Sequence, residues 1–235
     1  MYGMYGYGYG YGLDPTIILV LIGVALSLWA QGRVNSTFSR YSRVRSMTGM
    51  TGAEAARRLL NAQGIYDVTV QQIAGELTDH YDPRTKTVNL SQSVYGATSV
   101  AAIGVAAHEC GHAMQDNEGY APLRFRSALV PVANFGSSLS WPLILLGLVF
   151  GGLGSPLVEI GILMFSLAVL FQLVTLPVEY NASARAVRLL DAQGVNGTRK
   201  VLNAAALTYV AAAATSILQL LRLIILFGGR NRRDR

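Results

Sequence analysis

The chain has 235 residues, of which 51% are hydrophobic and only 14% charged, and its mean hydropathy is +0.36. Soluble domains carry about 25% charged residues, so this composition excludes an ordinary soluble globule and points to the membrane. The formal charge of +6 comes from basic residues beside apolar runs, which fits membrane topology and contact with the lipid bilayer and argues against nucleic-acid binding.

Residues 1–12 are a Tyr-Gly repeat with no apolar periodicity; such a stretch forms no core, so disorder is expected, with the aromatics at the membrane interface. It carries no Lys or Arg and is not a signal-peptide n-region. The apolar run from Thr16 to Ala30, extendable through Leu13 and Gln31, predicts a first span over 13–32, read as an uncleaved anchor. Arg33, Arg40, Arg43 and Arg45 follow. By the positive-inside rule they put this side in the cytoplasm and the tail outside.

Residues 33–126 read as a cytoplasmic α+β part. Thr51-Gly-Ala-Glu54 fits a capping box, opening a helix through Ala55, Ala56, Leu59 and Leu60 that stops at Gly64. Val68 to Ile73 reads as a strand. Leu77 to Tyr81 and Thr87 to Leu90 flank the turn signal Asp82-Pro-Arg-Thr, predicting a hairpin. Its strand is either an edge onto which an extended peptide adds itself or a plain structural hairpin. His80 reads as a surface or internally satisfied histidine.

His108-Glu-Cys-Gly-His112 then has the His-Glu-x-x-His form of zinc peptidases. Positions four apart share one helix face, so two imidazoles reach one metal. Glu109 leans to the same open side, where it can hold a water and take its proton. Random placement of this composition gives on the order of 0.002 such matches. The small apolar run Ser99 to Ala107 suits a buried helix entering the motif. Gly111 leaves room beside the metal. The alternative is a pair of ordinary helix histidines. Cys110, the one cysteine, excludes an internal disulfide and reads as a small buried filler, since no further histidine is free to activate it. Asp116 to Gly119 end the helix, with Asp116 solvated.

Two spans are expected over 127–176. Ser127 to Leu153 contains Pro131 and Pro142 and reads as one kinked span. A turn over 151–156 without basic residues fits the outside. Leu157 to Leu176 returns, and Pro177 is expected to stop it. Residues 177–235 supply a helix from Glu179 to Gly194 and a final apolar stretch, Leu207 to Phe227, followed by Arg230, Arg232, Arg233 and Arg235. Hydropathy favours crossing for that stretch and charge opposes it, leaving three or four spans. Arg58-Leu-Leu-Asn-Ala-Gln-Gly64 and Arg188-Leu-Leu-Asp-Ala-Gln-Gly194 read as two similar helix endings, too little to indicate a duplicated domain.

Catalytic zinc takes three protein ligands and keeps a position open. No histidine follows His112, so an acid must be the third. Glu159 lies at the outer end of a span and Asp191 among surface arginines. Glu179 sits at the inner boundary, with Asn181, Ala182 and Ser183 small enough for close packing, and is the expected ligand. The alternative for Glu179 is an acid favoured by a helix N-terminus.

Three runs carry a family resemblance: Tyr81 to Leu90, Val100 to Ala113 and Leu176 to Ser183. They resemble the bacterial membrane zinc metallopeptidases of the YugP type, over nearly the whole chain after the tail, and more distantly HtpX-like membrane proteases. The resemblance implies zinc held by His108, His112 and Glu179, and Glu109 as catalytic acid and base. HtpX-like enzymes carry an aspartate where this chain has Ser183, a weaker hydrogen-bonding support for a histidine.

The expected architecture is therefore a mainly α membrane protein whose transmembrane helices carry a cytoplasm-facing, zincin-like α+β catalytic part with a small hairpin or sheet. The expected function is an endopeptidase acting on peptides or membrane proteins through a zinc-activated water. The rivals are an inactive membrane metal-binding or scaffold protein and a hydrolase of non-peptide amides. His80, Tyr81 and Tyr180 are the candidate oxyanion donors, and Asn181 and Ser183 the candidates for supporting the ligands from behind. Nothing in the sequence sets an oligomeric state.

Overall fold

The computed structural model of the chain describes residues 14–152, 155–192, 194–195 and 197–228. The Tyr-Gly stretch and the arginines from Arg230 to Arg235 lie outside the described residues. Helices dominate, and four of them are long and apolar enough to cross a membrane: α1 (Ile17–Ser42), α5 (Ala121–Gly151), α6 (Pro156–Ala192) and α7 (Thr198–Phe227). Between α1 and α5 lie α2 (Gly52–Ala62), β1 (Thr69–Ile73), β2 (His80–Asp82), β3 (Thr87–Ser91), the single-turn α3 (Gln92–Tyr95) and α4 (Val100–Asn117).

α5 and α6 form an antiparallel pair whose contact is built from small residues. A Cβ on Gly136 would lie 2.7 Å from the Met164 carbonyl oxygen, and one on Gly161 would lie 2.9 Å from that of Ser140. Lipid offers apolar helices no hydrophobic reason to associate, so close backbone approach at Gly and Ser supplies the packing instead. α1 and α7 form a second antiparallel pair. The Thr215 hydroxyl donates to the Gly23 carbonyl at 3.1 Å, and Arg222 reaches Asp14 at 3.4 Å.

Because α7 lies along α1 from Gly197 beside Tyr41 to Arg222 beside Asp14, the two share one orientation in any bilayer that holds α1. With α7 included, four helices are long and apolar enough to cross a membrane, and its pairing with α1 favours crossing over lying in the interface for the stretch left open between three and four spans. Pairing with Asp14 and Thr16 also accommodates Arg222 in the largely apolar second half of α7.

α1 runs ten residues beyond the expected span end, past Arg33 and Arg40. The larger departure is at Pro177, which does not end a helix: α6 continues through it to Ala192. A proline inside a helix removes one backbone donor and crowds the preceding turn, but Val178, Glu179, Ala182 and Ala186, just beyond it, are buried against the rest of the chain and hold the helical path. Glu179 is therefore mid-helix, and the reading of it as an acid favoured by a helix N-terminus is excluded.

The non-membrane part is centred on α4, which is buried on most of its surface. Its core joins Leu59 and Leu60 of α2, Val88 and Leu90 of β3, Ile103 and Ala107 of α4, and Leu190 of α6. The capping box at Thr51 and Glu54 is present, and Gly64 has the positive φ of a helix terminator. The sheet has the order β1-β3-β2, with β1 parallel and β2 antiparallel to the fully buried β3. The expected hairpin is thus β2–β3, and β2 is an edge.

Candidate metal centre

α4 brings His108 and His112 onto one face, and α6 delivers Glu179 to the same point. The ligand-capable atoms of His108, His112 and Glu179 all lie within 4.8 Å of one another. Glu179 Oε2 is 3.1 Å from His108 Nε2 and 3.5 Å from His112 Nε2. Tetrahedral ligands at about 2.0–2.1 Å from a zinc ion stand about 3.4 Å apart, so this two-imidazole, one-carboxylate donor set fits such an ion. Glu159 begins α6, twenty residues or about 30 Å along the helix from Glu179, close to the thickness of a bilayer core.

What lets α6 come so near is Gly111. A Cβ there would lie 2.5 Å from the Ala182 carbonyl oxygen. The room expected beside a metal is in fact occupied by the α6 backbone, one turn from Glu179.

Both imidazoles are held from behind. His108 Nδ1 pairs with the Ser183 hydroxyl at 3.1 Å, and His112 Nδ1 with Gln115 Oε1 at 3.0 Å. Gln115 Nε2 donates to the Val178 carbonyl at 2.9 Å and to Asn181 Oδ1 at 3.0 Å. A carbonyl can only accept, so the Gln115 amide has one sensible orientation, and its oxygen must receive the proton on His112 Nδ1. In the neutral His112 ring Nε2 is then the lone-pair nitrogen on the Glu179 side, and in the charged ring it donates to Glu179. The Ser183 hydroxyl can pair with either tautomer of His108. Asn181, expected to support a ligand directly, acts one bond further out and also accepts from Arg185 Nε at 2.7 Å.

Gln115 is a residue the sequence reading missed. Its signal was present: it lies one turn after His112, where a partner for Nδ1 would be sought.

Burial disfavours the charged form of His112, but the Glu179 hydrogen bond and the charges of Glu109 and Glu179 outweigh it, so its pKa lies above the ordinary histidine value. Burial, with Glu109's charge adding, pushes the Cys110 thiol well up. Its Sγ faces the Ala56 carbonyl at 3.6 Å, away from the cluster, so it is the inert filler its surroundings imply.

A cleft of about 790 Å³ opens beside the cluster and is bordered by Glu109, the β2 edge, Arg126 and Asn134 of α5, and Tyr209 of α7. Glu109 is only 7% exposed, so its access is to this cleft. Asp116 is not the solvated helix end expected. It accepts from the Tyr81 hydroxyl at 2.8 Å and pairs with Lys86 at 3.1 Å, strapping the hairpin to α4. Burial and then Asp116 push the Tyr81 phenol up.

His80 is internally satisfied, as expected: Nδ1 donates to the Thr78 carbonyl at 2.8 Å and Nε2 accepts from Asn89 at 3.2 Å. Tyr180 borders a different depression, with Ser183 and Arg188. None of the three expected oxyanion donors is therefore both free and in the cleft. Arg126 and Tyr209, which no sequence pattern singled out, border it beside Glu179.

A family described as "Putative neutral zinc metallopeptidase" matches residues 16–228. The chain is 49% identical over 217 residues to the Bacillus subtilis (strain 168) protein named "Putative membrane protease YugP", covering 90% of this chain and 96% of that one. No solved structure matches the chain significantly. With the match running through α1, the two-histidine helix and α6, the chain belongs to the neutral zinc metallopeptidase family.

Proposed function

We propose that the protein is a zinc-dependent membrane endopeptidase, with His108, His112 and Glu179 as the metal ligands and Glu109 as general base and acid. The observation that carries this reading is the convergence of Glu179 Oε2 on both Nε2 atoms within 3.5 Å across 67 or more residues of chain. Zinc bound there supplies Lewis acidity, lowering the pKa of a water to about 7 and polarising the scissile carbonyl. Glu109 takes the proton released as the water attacks and hands it to the departing amine. Ser183 and Gln115 hold the two rings so that neither imidazole turns away, and Gln115 also fixes the tautomer of His112.

The substrate backbone runs along the β2 edge, which borders the cleft and, among the described residues, has a partner strand only on its β3 side. Tyr209 and Arg126 are the groups positioned to donate to a developing oxyanion. The active site faces the cytoplasm, since Arg33, Arg40, Arg43, Arg45, Arg124 and Arg185 all belong to the end of the bundle that carries the cluster.

The test is zinc content and casein or unfolded-membrane-protein cleavage by the purified chain, with a chelator control, beside Glu109→Gln. Full zinc with cleavage lost about 10²-fold or more supports the assignment. Chelator-resistant cleavage, or retained cleavage in Glu109→Gln, refutes it.

A further inference from the structure

α1 extends past its apolar run, and the extension has a pattern of its own. Arg33, Ser36, Thr37, Arg40 and Tyr41 recur at helical spacing and so form one polar stripe. Opposite them, Lys200, Asn203, Ala204 and Leu207 recur in the same way along the start of α7. The two stripes enclose a groove of about 570 Å³. Among the described residues, three cations, three hydroxyls and one carboxamide border it, and no carboxylate does. Among the described residues Arg33, Arg40 and Lys200 have no ion pair, although nearby arginines such as Arg185 and Arg199 do.

The level in the bilayer is set by length. From Ile17, twenty residues of helix span about 30 Å, the thickness of the hydrocarbon core, and end at Ser36, inside the groove. Like charges gathered around a concavity repel one another unless an anion lies between them. At the membrane boundary the abundant anion is a phospholipid phosphate, and basic pockets between membrane helices on the cytoplasmic side suit it. Two guanidinium forks and an ammonium address phosphate oxygens, while the hydroxyls and Asn203 can reach the remaining ester and glycerol oxygens.

We propose that the groove between α1 and the start of α7 binds the phosphate group of an anionic phospholipid headgroup. The site is separate from the metal cluster and does not depend on the peptidase reading.

The experiment uses the full chain in nanodiscs and in detergent, with bound lipid read by native mass spectrometry. Phosphatidylglycerol, phosphatidylcholine and inorganic phosphate are offered separately. The wild type is expected to retain phosphatidylglycerol over phosphatidylcholine. The Arg33→Gln/Arg40→Gln/Lys200→Gln variant is expected to lose that preference by about fivefold per charge removed, roughly 10²-fold in all. Arg33→Lys/Arg40→Lys, which keeps charge, is expected to retain most of the preference and serves as the folding control. Arg57→Gln/Arg58→Gln, away from the groove, should leave it unchanged. Equal retention of the two lipids, an undiminished preference in the triple variant, or an equal loss in Arg57→Gln/Arg58→Gln overturns the proposal. Occupancy by inorganic phosphate alone, with no retained lipid, also overturns it, since the acyl-bearing source is part of the claim.

Discussion

Gly111→Ala is the sharpest perturbation of the proposed metal cluster, because it alters none of the three proposed ligands. The added Cβ would stand 2.5 Å from the Ala182 carbonyl oxygen and 3.0 Å from its carbon, where ordinary contact begins at 3.4 Å. The deficit is 0.9 Å against the oxygen, and the obstacle is backbone, which cannot swing aside as a side chain can. α4 and α6 must separate by most of that amount. His108 and His112 ride on one helix and Glu179 on the other, so the ligand gap widens with them. Metal sites tolerate about 0.2 Å in ligand distance.

Overpacking of this kind costs about 1–3 kcal/mol of stability, and zinc affinity should fall by roughly 10–100-fold, as when ligand support is lost. The assay is competition for zinc against a chromophoric chelator, with thermal unfolding alongside. Gly104→Ala on the same helix is the internal control. Its Cβ would meet Thr198 at an ordinary 3.7 Å, so it should bind zinc normally and melt no lower than wild type. Zinc affinity within twofold of wild type in Gly111→Ala would remove the close approach of α4 and α6 as the reason the ligands converge.

Other outcomes are expected from the same geometry. Gln115→Leu leaves His112 Nδ1 and the Val178 carbonyl without their partner; zinc affinity should drop roughly 10–100-fold, and an unchanged affinity would show that Gln115 does not hold the ring. Asp116→Ala removes the acceptor shared by Tyr81 and Lys86. It should cost about 1–3 kcal/mol and speed proteolytic nicking between Asp82 and Lys86 while leaving zinc content intact; unaltered nicking would count against the strap.

Zinc binding needs neutral imidazoles, and the raised pKa of His112 in the metal-free chain makes protons compete at higher pH than for an ordinary histidine. Affinity measured between pH 8 and pH 5 should therefore fall as pH falls. The metal-free chain should show the opposite sign in thermal unfolding. The charged His112 raises its stability below the ordinary histidine pKa, and that gain fades as pH rises through the higher folded value. A pH-independent zinc affinity would contradict the assignment of the imidazoles as ligands.

Local pattern settled a good deal of this molecule before any folding was considered. The His108–His112 spacing, the capping box at Thr51, the turn between Tyr81 and Thr87, and the apolar runs are short-range features, and helices and hairpins are short-range objects. Glu179 could be picked as the candidate third ligand by elimination, because few acids lie at the right end of a span, and the fold brings it to the two histidines.

Three things depended on contacts between distant segments and were not legible in the sequence. Pro177 reads as a helix stop from its own chemistry, and only burial of the turns beyond it against α4 carries α6 through. Gly111 reads as space, and only the Ala182 backbone pressed against it reveals a helix crossing. Gln115 and Asp116 are ordinary polar residues in the sequence; they acquire roles from partners supplied by α6 and by the hairpin, while Arg126 and Tyr209 reach the cleft only through the packing of α5 and α7. Periodicity fixes which face of a helix is apolar, whereas which backbone that face meets, and how closely, is a property of the packed chain alone.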